Sequence, residues 1–313
     1  MNKLLILSKN ASEYASIINN VGLEQLEIYA FEDLTKTKTV CEKINIVLGD
    51  PDLILQALPE LDHLQWVQST WAGVRLLAEK GRRKNYILTG VKNVFGSIMS
   101  EYIICYMLMN ERKALRRFAS QQKKIWDTTR PGQLKNKNIG ILGVGSIGMA
   151  IARTAKFFQM NTKGYSRNPV SSEFIDKGYG QGDSLQDFVR DLDYLVSVLP
   201  DTPATNNLLD ESIFKAMKPH AILLNVGRGN VLDEAALVKA VNKGYISGAV
   251  LDVFKEEPLP KTHPFWSTPG ITITAHTSAI SFHQDIAPIF IENYQRFQLG
   301  KPLKYVVDLN LGY

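Results

Sequence analysis

Three side chains in this sequence combine types and positions suited to handling a carbonyl group. Arg228 lies in Asn225–Asn230 (NVGRGN), Glu257 in Leu251–Pro258 (LDVFKEEP) and His276 in Thr274–Ala279 (TAHTSA). A guanidinium can polarise a carbonyl and pair with a neighbouring carboxylate. An imidazolium can hand a proton to the carbonyl oxygen, and a carboxylate beside it raises its pKa so that it stays protonated near neutral pH. If a hydride reaches the carbonyl carbon, the three groups together suit reduction of a 2-keto acid. Glu256 competes with Glu257, and His263 and His283 lie near enough in sequence to compete with His276. His63 and His220 have no comparable setting. Each of the three residues taken alone has a duller reading, as a surface arginine, a solvated loop glutamate or a capping histidine.

The elements behind them make the set more telling. Each residue lies just past a short apolar run: Ala221–Val226 (AILLNV), Ala249–Val253 (AVLDV) and Ile271–Ala275 (ITITA). Runs apolar on both faces, separated by helix-length segments, are what parallel strands covered by helices require. Asn138–Leu142, Thr162–Tyr165 and Tyr194–Leu199 complete the series, so the candidates sit at carboxyl ends of parallel strands, where ligands bind in open α/β sheets. An earlier series comprises Leu4–Leu7, Leu26–Tyr29, Ile44–Leu48, Leu64–Gln68 and Ile87–Thr89. A long apolar helix over Met99–Gln121 joins the two series, and a last helix over Phe282–Leu299 precedes a short tail that can return to the first unit. The fold class is α/β, with two doubly wound parallel-sheet domains. The second, residues 98–282, is expected as an insertion into the first, residues 1–97 plus 283–313.

Gly143-Val144-Gly145-Ser146-Ile147-Gly148 fits G-x-G-x-x-G between the strand Asn138–Leu142 and a helix over Ile147–Phe158. Gly143 permits a tight turn, Gly145 lets the backbone approach a pyrophosphate, and Gly148 lets helix and strand pack closely. Unpaired N–H groups and the positive dipole end of the helix then face the phosphates. An NAD site places Asp or Glu roughly 20 residues further on. Here Tyr165 is followed by Ser166-Arg167-Asn168, with no carboxylate. Hydroxyl and guanidinium suit a 2′-phosphate, so NADP(H) is the expected cofactor and NAD(H) the weaker alternative.

Composition narrows the rest. With 313 residues, 45% of them hydrophobic, the chain can bury two cores at ~150 residues each and is too apolar for a disordered chain. The longest uninterrupted apolar run, Tyr102–Met109, is far below the ~20 residues of a membrane helix. Met1–Ser8 reads as a first strand in preference to a signal peptide. Two cysteines allow no disulfide framework, which favours a reducing, cytoplasmic setting. The charge of +5 comes from 36 basic and 31 acidic residues, and the clusters Arg82-Arg83-Lys84, Arg112-Lys113, Arg116-Arg117 and Lys123-Lys124 lack interleaved aromatics. Neither a nucleic-acid partner nor a membrane is expected. No Cys/His cluster suggests a metal and no G-x-S-x-G elbow suggests a hydrolase.

These motifs, in collinear order with Ser69–Val74 (STWAGV), Glu101-Tyr102, Val196–Leu209 (VSVLPDTPATNNLL) and Leu223–Glu234 (LLNVGRGNVLDE), resemble the D-isomer-specific 2-hydroxyacid dehydrogenases. The glyoxylate/hydroxypyruvate reductase branch is the most similar. The resemblance implies that Arg228 binds and polarises substrate, Glu257 (the glutamate directly before Pro258) supports the histidine, and His276 donates the proton. It implies that Trp71, Ala72, Gly73 and Val74 form the substrate-carboxylate loop. It places Leu199, Pro200 and Thr205 at the adenosine and phosphate end, and Asp252 at the nicotinamide carboxamide. Gly143, Gly145, Ser146, Ile147, Gly148, Ser166, Arg167, Val226, Gly227, Arg228 and His276 complete the cofactor set. A Rossmann dinucleotide-binding domain inserted into a flavodoxin-like substrate domain, and a homodimer through the cofactor domain, are implied as well. The sequence departs from the family pattern in three ways: Trp71 and Arg75 flank Ala-Gly-Val, Ala275 replaces a frequent Pro, and Ser281-Phe282-His283 stand where an Arg is often found. The alternative reading is a non-catalytic dinucleotide-binding regulator or corepressor of the same fold.

Overall fold

The structure, a computed structural model, describes residues 1–79 and 83–309, with the side chain of Arg75 outside that description. Arg82 of the first basic cluster and residues 310–313 of the tail therefore lie outside the described residues. In chain order the first elements are β1 (Asn2–Leu7), α1 (Ala11–Val21), β2 (Leu26–Phe31), β3 (Ile46–Gly49), α2 (Pro51–Ala57), β4 (Trp66–Ser69), α3 (Arg75–Ala78) and β5 (Ile87–Thr89). There follow α4 (Gly96–Glu111), α5 (Ala114–Gln122), β6 (Asn138–Leu142), α6 (Ser146–Phe157), β7 (Asn161–Tyr165), β8 (Lys177–Tyr179), α7 (Leu185–Val189) and β9 (Tyr194–Ser197). The series closes with α8 (Glu211–Ala216), β10 (Ile222–Asn225), α9 (Glu234–Lys243), β11 (Gly248–Leu251), β12 (Ile271–Ile273) and α10 (His283–Gln298).

The chain divides into two units, Met1–Val94 with Ser281–Tyr313, and Phe95–Ile280. In the first, five parallel strands run in the order β2-β1-β3-β4-β5, the flavodoxin-like order. Leu4, Leu5, Ile6 and Leu7 are wholly buried on both faces of β1, which is why that strand reads as a continuous apolar run. The terminal segment completes this unit. Trp66 of β4 stacks on Phe290 and Phe297 of α10 at 5.1 and 5.6 Å, and Val306 bridges antiparallel to Thr89. Buried Asn293 donates to Gln68 Oε1 and to the Lys304 carbonyl, both at 3.1 Å, pinning helix and tail to the sheet.

The second unit holds seven parallel strands in the order β12-β11-β10-β9-β6-β7-β8, the doubly wound dinucleotide order extended by one strand. The strand order reverses between β6 and β9, the switch point at which such sheets bind ligands. The edge strand β8 is missing from the sequence reading because Lys-Gly-Tyr shows neither an apolar run nor alternation. Gly178 is needed there, since a Cβ would lie 2.4 Å from the Val170 carbonyl oxygen.

The single helix expected over Met99–Gln121 is two helices. The Glu111 carbonyl accepts the Gly132 N–H at 2.9 Å and Lys113 takes a left-handed φ of 55°, so a tertiary hydrogen bond ends α4 where the local sequence carries no stop signal. At its other end α4 begins earlier than expected, at Gly96, where a Cβ would approach the Ala150 Cβ of α6 to 2.7 Å. The remaining strands lie within a few residues of their expected bounds. No helix among the described residues is long and apolar enough to cross a membrane, and none of their His, Cys, Asp and Glu side chains group as metal ligands.

Candidate active site

The three glycines of the β6–α6 turn differ in what demands them. Gly143 has a φ of 96°, open to glycine and strained for other residues, and its missing side chain faces the Val198 carbonyl, just past the neighbouring switch-point strand β9. At Gly148 a Cβ would come within 2.1 Å of the Gly143 oxygen, so helix and turn can meet only there without a side chain. Gly145 has an ordinary φ of −87°, and a Cβ on it would meet nothing within 4 Å. Neither conformation nor packing requires that glycine. The space above it is what a phosphate group needs to reach the N–H groups of Ser146 and Ile147, and no side chain caps α6. The turn therefore fits a dinucleotide.

Past β7, Ser166 donates its N–H to the Tyr179 carbonyl at 3.1 Å and its hydroxyl to the Asn168 carbonyl at 2.6 Å, and Arg167 is exposed. Beyond β9, Leu199 and Pro200 open a loop closed by Thr205, whose hydroxyl donates to the Pro200 carbonyl at 2.7 Å and accepts from the Thr202 N–H at 3.0 Å. The Leu199 backbone abuts Gly227, where a Cβ would lie 2.7 Å from the Leu199 oxygen. Val226 is buried, with its N–H on the Ser197 carbonyl.

Arg228 follows β10 in extended conformation, with one Nη1 donor on the Gly227 carbonyl at 2.7 Å. Its loop is held by Asn225, a wholly buried residue that the sequence reading did not single out. The Asn225 amide donates to the Arg228 carbonyl at 3.1 Å and accepts from the Gly227 N–H at 3.4 Å. Gly229 is indispensable, since a Cβ would fall 1.9 Å from the Phe254 carbonyl carbon.

Glu257 and His276 meet, with Oε2 and Nδ1 2.8 Å apart, so the contacting glutamate is Glu257 and not Glu256. The other carboxylate oxygen of Glu257 accepts the Phe254 N–H at 2.9 Å, which sets the group's orientation. The hydrogen bond to Glu257 raises the His276 pKa above the ordinary histidine value; burial and the Arg228 charge pull against it without reversing it. For Glu257, burial pushes the pKa up, but the bonds from His276 and Phe254 with the His276 and Arg228 charges leave it lowered. Both shifts favour an ion pair. The competing histidines lie elsewhere: His263 accepts from the Phe265 N–H and pairs with Glu234, His220 meets Asp193 at 2.7 Å, and His283 starts α10 in the other unit.

His276 has a left-handed φ of 54°, and Asp252 explains how it is kept. The wholly buried Asp252 takes the Thr274 hydroxyl at 2.5 Å and the Thr277 N–H at 2.8 Å on Oδ1, and the Ser278 N–H at 2.9 Å on Oδ2. Its backbone oxygen accepts the His276 N–H at 2.8 Å. One carboxylate thus organises the whole histidine loop. The sequence carries no local signal for this, because the partners lie more than twenty residues away.

In the first unit, Trp71–Val74 follows β4. Trp71 is 39% exposed, Val74 is buried, and Ser69 braces the turn by accepting the Trp71 N–H at 3.0 Å. Ser281 donates to the Thr70 carbonyl at 2.7 Å, so the first of the residues standing in place of the frequent Arg braces this loop's base.

Comparison with known proteins gives the family. Residues 104–278 match the family described as D-isomer specific 2-hydroxyacid dehydrogenase, NAD binding domain. A glyoxylate/hydroxypyruvate reductase A of Photorhabdus laumondii is 37% identical over 218 residues, 70% of this chain and 69% of that protein. A D-isomer-specific 2-hydroxyacid dehydrogenase family protein of Aeromonas salmonicida superposes with a TM-score of 0.95 at 37% identity, covering 98% of this chain and 99% of that one. An NADPH-dependent glyoxylate/hydroxypyruvate reductase of Sinorhizobium meliloti, solved with NADP and sulfate, superposes with a TM-score of 0.87 at 25% identity over the full length of both chains. The chain belongs to the D-isomer-specific 2-hydroxyacid dehydrogenase family. It is an oxidoreductase with a nicotinamide-dinucleotide-binding domain of the Rossmann type.

Proposed function

We propose that the protein reduces a small 2-keto acid, glyoxylate, hydroxypyruvate or similar, to the D-2-hydroxy acid, with NADPH preferred over NADH. The observation that carries this reading is the 2.8 Å contact of His276 with Glu257 beside the Arg228 charge, on a sheet whose switch point holds the glycine turn. Relatives named glyoxylate/hydroxypyruvate reductase support the substrate class. The nicotinamide, when bound, supplies the hydride. His276, kept protonated by Glu257, delivers a proton to the carbonyl oxygen. Arg228 pairs with the substrate carboxylate and draws electron density from the carbonyl.

The cofactor is held by the β6–α6 turn, with Ser166 and Arg167 at the adenosine 2′-phosphate. Gly145→Ala is expected to leave the thermal midpoint within a degree or two, because its Cβ enters open space, while NADPH affinity falls about tenfold or more. Unchanged affinity by titration calorimetry would show that the phosphates lie elsewhere. The central test is nicotinamide oxidation with both cofactors across a panel of 2-keto acids. NADPH turnover above NADH is expected on one or more of them. Arg167→Asp should then shift the kcat/KM ratio toward NADH by about a hundredfold, as a charge-assisted contact becomes a repulsion. Cofactor binding with no turnover on any keto acid would instead support a regulator.

The second unit also carries a groove of about 270 Å³ lined in part by Tyr106, Met109, Leu115, Ile222 and Val250. Phe118, Ile125 and Trp126 are exposed in the same stretch of chain, Trp126 by 92%. A homodimer through the cofactor domain would cover such apolar surface.

A further inference from the structure

We propose that Tyr102 is a positioning residue for the reaction, acting through Thr274 on the Asp252 carboxylate that orients the His276 loop. The Tyr102 hydroxyl, on α4, lies 2.7 Å from the Thr274 hydroxyl, and Thr274 lies 2.5 Å from Asp252 Oδ1. Proton inventory gives the direction. Asp252 already accepts two backbone N–H groups, so its carboxylate is the acceptor and Thr274 donates to it. Thr274 has a single hydroxyl hydrogen, so Tyr102 must be the donor to the Thr274 oxygen. The result is a one-way chain, Tyr102 O–H to Thr274 O–H to Asp252, ending on the carboxylate that holds the N–H groups of Thr277 and Ser278. The Tyr102 ring packs 4.7 Å from that of Tyr106, which fixes where the hydroxyl points. Tyr102 does not touch the reacting atoms; it limits how far the histidine loop can stray from productive geometry.

The proposal rests on His276 being the proton donor. Tyr102→Phe keeps the ring and removes the donor. We expect kcat to fall about fivefold to tenfold with the keto-acid KM within about twofold, because a transition-state alignment is lost and not ground-state binding. In the cofactor-free protein, amide exchange at Thr277 and Ser278 should speed up by about tenfold, with exchange in β10 and the thermal midpoint unchanged. Thr274→Val should give a similar or larger loss, Thr274→Ser should restore the rate, and Tyr102→Phe should cost nothing further in the Thr274→Val background. Wild-type kcat and exchange in Tyr102→Phe would overturn the proposal, as would losses that add independently in the double variant. Retained turnover in His276→Ala would instead overturn the functional reading beneath it.

Discussion

His276→Ala lowers kcat for keto-acid reduction by about two to four orders of magnitude, the range a positioned general acid contributes, while NADPH affinity stays nearly intact. The expectation follows from geometry. The imidazole is half exposed, bonded at Nδ1 to Glu257, and carried on a loop that Asp252 holds independently of the ring. Removing the ring therefore takes away the proton donor and leaves the loop in place. Loss of cofactor binding in place of turnover would show the residue to be structural.

The pH profile gives the same experiment a second readout. The His276 pKa is raised, chiefly by the Glu257 hydrogen bond, so the protonated acid persists above the pH at which an isolated histidine would lose its proton. Reduction should hold a plateau below that raised pKa and decline as pH climbs through it. Glu257→Gln removes the charge that favours the imidazolium, so the declining limb moves to lower pH. A limb that stays in place would detach the carboxylate from the proton donor.

Arg228→Gln should reduce kcat/KM by about a thousandfold. Two charge-assisted hydrogen bonds from guanidinium to a carboxylate and its neighbouring carbonyl are worth roughly 2 kcal/mol each, and about 1.4 kcal/mol is a factor of ten. Arg228→Lys keeps the charge and loses the planar fork, so it should fall between the two. The backbone is expected to tolerate either change, because the loop is set by Asn225 and by the close approach of Gly229 to Phe254. Steady-state kinetics with glyoxylate and hydroxypyruvate decides the matter. A Gln variant within threefold of wild type would remove Arg228 from the substrate site, and full activity in Arg228→Lys would reduce its part to that of a point charge.

How far the sequence reaches can be followed residue by residue. The strands were legible because a parallel strand covered on both faces must be apolar throughout, and the runs around Leu4–Leu7 and Leu223-Leu224 are wholly buried. β8 escaped notice because a three-residue edge strand needs only backbone partners. The break after Glu111 escaped because a carbonyl bond from Gly132 made it, across a separation that local propensity does not register.

The sequence by itself determined the α/β class, the glycine turn with Ser166-Arg167 in place of an acidic residue, and the placement of Arg228, Glu257 and His276 after strands. These are local properties: side-chain type, apolar period and position relative to a strand end. Residue types alone left Glu256 and Glu257 open and the family resemblance implied Glu257; the tertiary structure shows the contact itself, Glu257 on His276. It also gave the three glycine roles their geometry, with open space above Gly145, a positive φ at Gly143 and close packing at Gly148. It also joined Tyr102 to Thr274 across 172 residues and placed Asp252 under the histidine loop. The physical reason is that a hydrogen bond depends on distance and angle in space, and those are set only when the strands have taken their order in the sheet.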